Sequence, residues 1–158
     1  MAPNDSNRPE SGLWKDYVNR RSIAKMAEEI GVDYKDFDQP SFVDAVVDDA
    51  FYSLELKQRI NAIAHALAQF LPEDYDRAMR VFRKVAPRLG GFENWALMAY
   101  IELYGLDHFE TSVATMKELT QYSTAEFAIR PYVIRYEKEM LPVLYEWAED
   151  DNHHIRRL

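Results

Sequence analysis

The chain has 158 residues, of which 47% are hydrophobic, and its formal net charge is −8 at pH 7. This composition excludes a disordered chain and indicates about one domain with a sizeable core. The chain contains no cysteine, which excludes disulfides and thiolate metal sites and favours a reducing, cytoplasmic compartment. The acidic charge weighs against a simple nucleic-acid binder, although a local basic surface can act on an acidic molecule.

From residue 13 onward the apolar residues repeat at helical spacing, and no strand-like alternation stands out. Residues 1–12 are polar, and we interpret them as a flexible N-terminal arm without a signal peptide. No run approaches about 20 apolar residues, so no membrane span is predicted. We expect eight or nine short helices, near residues 13–30, 40–53, 54–71, 73–86, 92–105, 107–121, around Glu126, 140–150, and opening near 151.

Short helices with short connectors are typical of antiparallel helix pairs, arranged either as a compact bundle or as an α-solenoid. Glycine and proline suggest several boundaries. Gly31 suits the position just after the first helix, and Pro131 is expected to close the seventh. Pro142 fits the first turn of the eighth helix, and Asp151 or Asn152 could cap the ninth.

Glu126 lies in an otherwise apolar stretch, and two structural roles compete with a functional one. The run Ser123-Thr124-Ala125-Glu126 matches a capping box, in which Ser123 caps the helix and Glu126 is its third residue. Glu126 and Arg130 are also spaced for an ion pair one helical turn apart. Neither structural role requires a substrate, and the alternative is a carboxylate directed at a ligand.

A basic stripe runs along the predicted fourth helix. Arg77, Arg80 and Lys84 fall on one side of the helical wheel, and no acidic residue interrupts positions 77–88. A separate side is apolar and comprises Ala78, Phe82, Val85 and Leu89. The stripe is either a phosphate-contacting ridge or, more commonly for such a pattern, a solvated helix face.

The final residues, "HHIRRL", give a second positive region, formed by His154, Arg156 and Arg157 at the start of a helix. His153 and His154 are adjacent and therefore point in different directions, so no metal site is predicted. Trp95 lies in the most apolar helix and is interpreted as a core residue. No phosphate-loop, dinucleotide-binding, zinc-protease or serine-hydrolase motif is present.

Three stretches, taken together, carry a resemblance to a known family. They are "LELKQRINAIAHAL" (54–67), "YGLDHFETSVATMKELTQYSTAEFAIRP" (104–131) and "WAEDDNHHIRRL" (147–158). In this order and spacing they resemble the DNA alkylation repair family of HEAT-repeat-like glycosylases, its AlkC-type branch in particular. The resemblance covers most of the chain after about residue 13, and the run "TAEFAIRP" is its most specific part.

The resemblance implies an all-α, HEAT-like solenoid whose concave face holds duplex DNA. It also implies hydrolysis of the N-glycosidic bond of cationic N-alkylated bases such as 3-methyladenine, without a metal or organic cofactor. By position, Glu126 matches the acid of the catalytic cleft, and Arg130, His154, Arg156 and Arg157 are expected near the DNA backbone. If the enzyme interpretation holds, Glu126, Arg130, Arg156 and Arg157 should line one concave surface.

Two departures from the family pattern limit the transfer of function. His153 stands where the family often has an acid, and the family's chain continues past the position of Leu158 with further repeats and active-site residues. We therefore expect residues 13–158 to be one helical domain that is an N-terminal portion or a shortened member. The competing hypothesis is a non-catalytic helical scaffold that binds DNA or protein. The sequence does not define an oligomeric state.

Overall fold

The computed structural model describes residues 11–158, and within this range helices are the only regular secondary structure. The all-α class predicted from the sequence is therefore confirmed. Nine α-helices follow one another in this range: α1 (Arg20–Asp33), α2 (Gln39–Val46), α3 (Leu56–Phe70), α4 (Tyr75–Val85), α5 (Gly91–Tyr104), α6 (Phe109–Leu119), α7 (Glu126–Arg135), α8 (Glu137–Ala148) and α9 (His153–Arg156). Short 3-10 helices lie at Trp14–Tyr17, Phe51–Ser53 and Ala86–Arg88. Of the predicted flexible arm, residues 1–10 lie outside the described range.

The helices form two rows. In one row α3 packs against α5, and α5 packs against α7; in the other row α1 packs against α4, and α4 against α6. Successive helices from α4 to α7 therefore alternate between the rows, while α8 continues from α7 and contacts α9. The core is built from fully buried apolar side chains on both rows, including Ile30, Ile60, Leu67, Met79, Phe82 and Leu97. None of the helices in residues 11–158 has the length and apolar character needed to cross a membrane.

A buried arginine fixes the N-terminal segment to this core. Arg59 on α3 is only 1% exposed. Its guanidinium donates hydrogen bonds of 2.7 to 3.1 Å to four backbone carbonyl oxygens, those of Lys15, Val18, Tyr52 and Leu54. A buried charge needs such partners, because an unpaired one would lose its hydration without compensation. Arg59 thus ties the segment before α1 and the turn before α3 to one point.

A second buried polar group joins α4, α5, α6 and α7. The hydroxyls of Tyr75 and Ser112 lie 2.7 Å apart, and Ser112 donates to the carbonyl of Gly105 at 2.9 Å. The hydroxyl of Tyr132 donates to the carbonyl of Ile101, also at 2.9 Å. Burial raises the pKa of Tyr132 to about 12, so its hydroxyl remains a donor at neutral pH.

Several predicted boundaries were wrong, and local hydrogen bonds explain the differences. The first helix begins after Asn19, whose side chain accepts from the Arg21 and Ser22 amides, rather than near residue 13. Gly31 does not end this helix but lies buried inside it. The predicted helix 40–53 ends at Val46, because the carboxylate of Asp48 accepts from the backbone amides of Ala50 and Phe51, which would otherwise continue the helical hydrogen bonds.

The two predicted proline positions also differ. Pro131 lies inside α7 instead of closing it, and Pro142 lies inside α8 because that helix begins at Glu137, earlier than predicted. Each proline removes one backbone donor from its helix. The predicted cap of the last helix is confirmed, since the side chain of Asn152 accepts from the His154 amide at 2.9 Å.

Candidate functional site

Glu126 is the first residue of α7, and its side chain is exposed. Its Oε1 atom lies 2.9 Å from Nη2 of Arg130, with side-chain exposures of 60% and 59%, so the predicted ion pair is confirmed. The capping box is wrong: the residue before the helix is Ala125, and Ser123 makes no capping hydrogen bond. The carboxylate of Glu126 is therefore available at the surface rather than committed to the helix start.

Two threonines explain why Ser123 does not cap α7. The amide of Ala125 donates to Oγ1 of Thr120, and the amide of Glu126 donates to Oγ1 of Thr124, each at 3.3 Å. The amides of Ala125 and Glu126 thus donate to Thr120 and Thr124, which lie on either side of Ser123 in the chain. The helix starts two residues later than a Ser123 cap would require, which makes Glu126 its first residue rather than its third.

Phe127, directly after Glu126, is the centre of a cluster that joins three helices. Its ring stacks on that of Trp95 of α5, with centroids 6.0 Å apart and planes inclined by 24°. The Lys57 ammonium of α3 lies 4.9 Å from the Phe127 centroid, and the Arg130 guanidinium lies 4.8 Å from it. We call Lys57, Trp95, Phe127 and Arg130 the Phe127 cluster. It brings cations from α3 and α7 to the faces of one ring.

The cluster lies at the edge of the core and remains accessible. Trp95 and Phe127 are half-buried, whereas Lys57 and Arg130 are exposed. The interpretation of Trp95 as a core residue is therefore correct only in part, because its ring also forms this surface. Glu102 of α5 lies 3.9 Å from Lys57, so the cluster contacts a second carboxylate besides that of Glu126.

Sequence reasoning missed Phe127, Lys57 and Glu102. Phe127 and Arg130 are three residues apart, which places them on one helix face, so this part of the cluster could have been found from spacing. The contribution of Lys57 depends on how α3 and α7 lie beside α5, which no local pattern reports.

This arrangement is suited to a flat, charged ligand. Half-exposed aromatic rings can stack on bases or hold cationic groups, and exposed Lys and Arg side chains can contact phosphate. The exposed carboxylate of Glu126, beside the Phe127 cluster, can stabilise positive charge. Together these groups provide apolar, cationic and anionic contacts within one surface of the row formed by α3, α5 and α7.

The basic stripe of α4 lies on the other row, apart from Glu126. Arg77, Arg80 and Lys84 are exposed as a solvated face requires. The Arg77 guanidinium lies 5.4 Å from the Tyr34 ring centroid, and Lys84 Nζ lies 3.9 Å from the Asp33 carboxylate. Part of the stripe thus contacts α1 and the residue that follows it, and its role in binding phosphate stays a prediction.

At the end of the chain, Arg156 has a structural contact. Its Nη1 donates to the carbonyls of Asp150 and Asp151, at 2.7 and 2.8 Å, and so closes the turn between α8 and α9. Arg157 is exposed, and His154 is half-buried with its ring 3.9 Å from that of His153. Desolvation, followed by the charges of His153 and Arg157, lowers the pKa of His154.

Glu126 and Arg130 form an ion pair on α7, and the concave surface predicted for Glu126, Arg130, Arg156 and Arg157 stays a prediction. Across residues 11–158, no group of three or more His, Asp or Glu side chains is arranged to hold a metal ion.

Comparison with known proteins gives a consistent result. No protein-family model matches the chain. It is 33% identical over 144 residues to the uncharacterized protein YhaZ of Bacillus subtilis, covering 91% of this chain and 40% of that protein. It also superimposes with a TM-score of 0.84 and 32% identity on the Pseudomonas fluorescens alkylpurine DNA glycosylase AlkC, which was solved bound to DNA containing an abasic-site analogue.

The match to AlkC covers 90% of this chain and 40% of that one, so the chain spans about two fifths of the length of each relative. The similarity confirms the AlkC-type resemblance and the solenoid of antiparallel helix pairs expected from it.

Proposed function

We propose that this chain, an AlkC-like member of the DNA alkylation repair family, forms the DNA-binding helical part of a glycosylase. In this proposal it binds duplex DNA and takes part in hydrolysing the N-glycosidic bond of cationic N-alkylated bases such as 3-methyladenine. The similarity in fold to a DNA-bound alkylpurine glycosylase supports the proposal. The proposed location is the cytoplasm, which fits a chain that contains no cysteine.

The proposed chemistry needs few groups from the protein. Alkylation gives the base a positive charge and makes it a good leaving group, so the glycosidic bond is already weakened. As this bond lengthens, positive charge develops on the sugar, and a carboxylate nearby stabilises the transition state electrostatically. Glu126 is the proposed carboxylate, and its ion pair with Arg130 at 2.9 Å orients it. Water is the second reactant, and no cofactor is required.

The Phe127 cluster gives this carboxylate a setting suited to DNA. The half-buried ring of Trp95 is proposed to hold the cationic base or sugar by cation–π attraction, because the Phe127 ring already contacts two cations. Lys57 and Arg130 are proposed to contact phosphates beside it. Further backbone contacts are assigned to the basic residues predicted from the sequence, namely His154, Arg156, Arg157, Arg77, Arg80 and Lys84.

One observation carries the proposal: an exposed carboxylate directly precedes an aromatic ring that is flanked by cations from two helices. Two structural roles were open to Glu126, a capping box and an ion pair with Arg130. The capping box does not form, and the carboxylate meets Arg130 at the surface instead.

The test is release of methylated bases from alkylated duplex DNA by the wild type and by Glu126→Gln. Loss of a catalytic carboxylate is expected to lower the rate by about 100-fold or more. Glu139→Gln is the matched control, because Glu139 is also an exposed acid in the first helical turn, that of α8. Equal release by the wild type and both variants would contradict the role of Glu126.

A second function, a non-catalytic scaffold that binds DNA or protein, is favoured by the net charge of −8 and by the ion pair that engages Glu126. It predicts no base release by the wild type. Salt-dependent DNA binding without release would identify a DNA-binding scaffold, since each phosphate contact adds about 0.9 to the slope of log affinity against log salt. Absence of both activities would favour a protein-binding scaffold.

A further inference from the structure

Trp14 is an exposed indole on a segment whose backbone is fixed to the core. The residue is 59% exposed, although it begins the 3-10 helix Trp14–Tyr17. The buried guanidinium of Arg59 donates to the carbonyls of Lys15 and Val18, at 2.7 and 3.0 Å, and holds this helix in place. A large aromatic side chain on a fixed backbone loses little conformational entropy when it binds a ligand. Trp14 is therefore better suited to a contact surface than to the core.

Two further rings support this indole. The Trp14 and Tyr17 rings stack with centroids 5.8 Å apart and planes inclined by 29°. The Phe92 ring of α5 lies 6.1 Å from Trp14 and 5.8 Å from Tyr17, centroid to centroid. Tyr17 and Phe92 are half-buried, so they hold the indole while much of it stays in solvent. We call Trp14, Tyr17 and Phe92 the Trp14 triad.

The Trp14 triad adjoins the proposed DNA site along α5. Phe92 precedes Trp95 of the Phe127 cluster by three residues, which places the two on one helix face, about 4.5 Å apart along the axis. Trp95 in turn stacks on Phe127. The aromatic surface thus continues from Phe127 of α7 across α5 to Trp14.

The charged groups of the N-terminal segment are paired. Nζ of Lys15 lies 2.9 Å from the Glu55 carboxylate. Oδ1 of Asp16 lies 3.4 Å from Nη1 of Arg59. Neither sign of charge is therefore in excess on this side of the Trp14 triad.

Charges of both signs also border the triad on α5 and α1. Burial raises the pKa of Glu93, the residue after Phe92, and a backbone hydrogen bond and then the charge of the exposed Lys25 oppose this rise. The exposed Arg21 and Glu28, two turns apart on α1, again have opposite signs. The Trp14 triad thus presents an aromatic face suited to a flat, uncharged group, whereas phosphate contacts belong to the Phe127 cluster.

The proposed reaction itself creates such a group. Release of a base from a duplex leaves its former partner in the opposite strand unpaired, and an unpaired base stacks on an aromatic side chain whatever its identity. We propose that Trp14 stacks on the unpaired base opposite the lesion while the Phe127 cluster holds the damaged strand. This inference rests on the proposed function, because it names a second part of the DNA that the same surface binds.

Duplex DNA with one unpaired base and no abasic site isolates this contact. In fluorescence anisotropy the wild type should bind this duplex more tightly than the fully paired one. Trp14→Ala should lose about 10-fold in affinity for the duplex with the unpaired base and bind the paired duplex as the wild type does. The slope of log affinity against log salt should not change, because stacking on a base neutralises no phosphate. Tyr145→Ala is the matched control, since Tyr145 on α8 is an aromatic residue that is 72% exposed.

Two further measurements separate stacking from a structural role of Trp14. Trp14→Phe keeps an aromatic face and should retain more affinity than Trp14→Ala, with circular dichroism to check that both variants are folded. With 2-aminopurine as the unpaired base, emission from the bound duplex should be lower with the wild type than with Trp14→Ala, because stacking on an indole quenches it. Equal emission, or a Trp14→Phe variant as weak as Trp14→Ala, would overturn the inference.

The outcomes distinguish this inference from the proposed function. Base release by the wild type together with unchanged affinity of Trp14→Ala overturns the inference alone, and is the result expected if the Trp14 triad binds a protein instead. A preference for the unpaired base that depends on Trp14, without base release by the wild type, supports the inference and contradicts the hydrolytic step. A wild type that binds neither duplex overturns both.

Discussion

Two arginines in this molecule show how position decides what a charged side chain does. Arg59 is 1% exposed, and its guanidinium is surrounded by backbone carbonyls. Arg130 has a side chain that is 59% exposed, and it meets one carboxylate and the face of Phe127. Both also lie near aromatic rings, since the Arg59 guanidinium is 5.3 Å from the Phe51 ring centroid.

The two guanidinium groups differ in how many of their N–H donors bind acceptors within the chain. Arg59 finds its partners in carbonyls of the loops around it, so its contacts stabilise the fold. Arg130 retains access to solvent, and its contacts orient groups at a surface that a ligand can reach. Changes at the first position should therefore alter stability, and changes at the second should alter binding.

Removing Arg59 should give the largest effect on stability. Arg59→Met retains an unbranched side chain but removes the guanidinium donors from four backbone carbonyls, and we expect a loss of about 3–5 kcal/mol in the free energy of unfolding. Urea unfolding followed by circular dichroism measures this loss. A loss of less than about 1 kcal/mol in the free energy of unfolding is the range of an exposed ion pair. Such a result would mean that Arg59 stabilises the fold no more than Arg130 does.

Gly105→Ala should give the next largest effect. An added Cβ would meet the hydroxyls of Tyr75, Tyr132 and Ser112, the last two at 2.5 and 2.6 Å, so the buried polar group must shift. We expect a cost of about 1–3 kcal/mol, measured by thermal unfolding. Gly90→Ala is the control: its Cβ would meet mainly the flexible end of one side chain, which can move aside, and a cost as large there would contradict the explanation.

Arg130→Gln should leave stability nearly unchanged while weakening DNA binding. Its exposed ion pair with Glu126 contributes about 0–1 kcal/mol. If Arg130 contacts a phosphate, the slope of log affinity against log salt should fall by about one. Fluorescence anisotropy with duplex DNA at several salt concentrations measures both affinity and slope. An unchanged slope would exclude Arg130 from the interface.

The smallest expected effect is a change in pH dependence at Glu93, the acid in the first turn of α5. Burial raises the pKa of Glu93, partly opposed by a backbone hydrogen bond and then by the charge of Lys25. The folded state then binds the proton more tightly than the unfolded state, so stability falls as pH rises from about 4.5 through the raised folded pKa. Glu93→Gln should reduce this fall in urea unfolding across that range. A fall as steep as in the wild type would contradict the assignment.

Local sequence patterns predicted most of the helices but not their ends. The apolar spacing of α3 and α5 and the Asn152 cap were read correctly, because they depend on residues close in the chain. The start of α1 was wrong because the Asn19 side chain caps the helix there, while Arg59 holds the carbonyls of Lys15 and Val18 in the preceding segment from more than 40 residues away. The start of α7 was wrong because Thr120 competes with Ser123 for the helix-start amides.

The candidate site, too, was predicted correctly only where it depends on residues close in the chain. Glu126 and Arg130 were found from their spacing, and the ion pair formed as expected. Trp95 was assigned to the core because its helix is apolar on nearly all sides, yet its ring reaches the surface beside Phe127. Lys57 joins the cluster only because α3 lies beside α5 and α7, a tertiary arrangement that periodicity does not encode.

The central claim is that the Phe127 cluster and Glu126 form a surface that binds damaged DNA. The most direct test compares the affinity for a duplex containing an abasic-site analogue with that for the intact duplex, by anisotropy at one salt concentration. We predict tighter binding of the abasic duplex by the wild type and loss of this preference in Phe127→Ala, with Tyr52→Ala, an exposed aromatic outside the cluster, as the control. Equal affinity for both duplexes in the wild type, or a preference that survives Phe127→Ala, would contradict the claim.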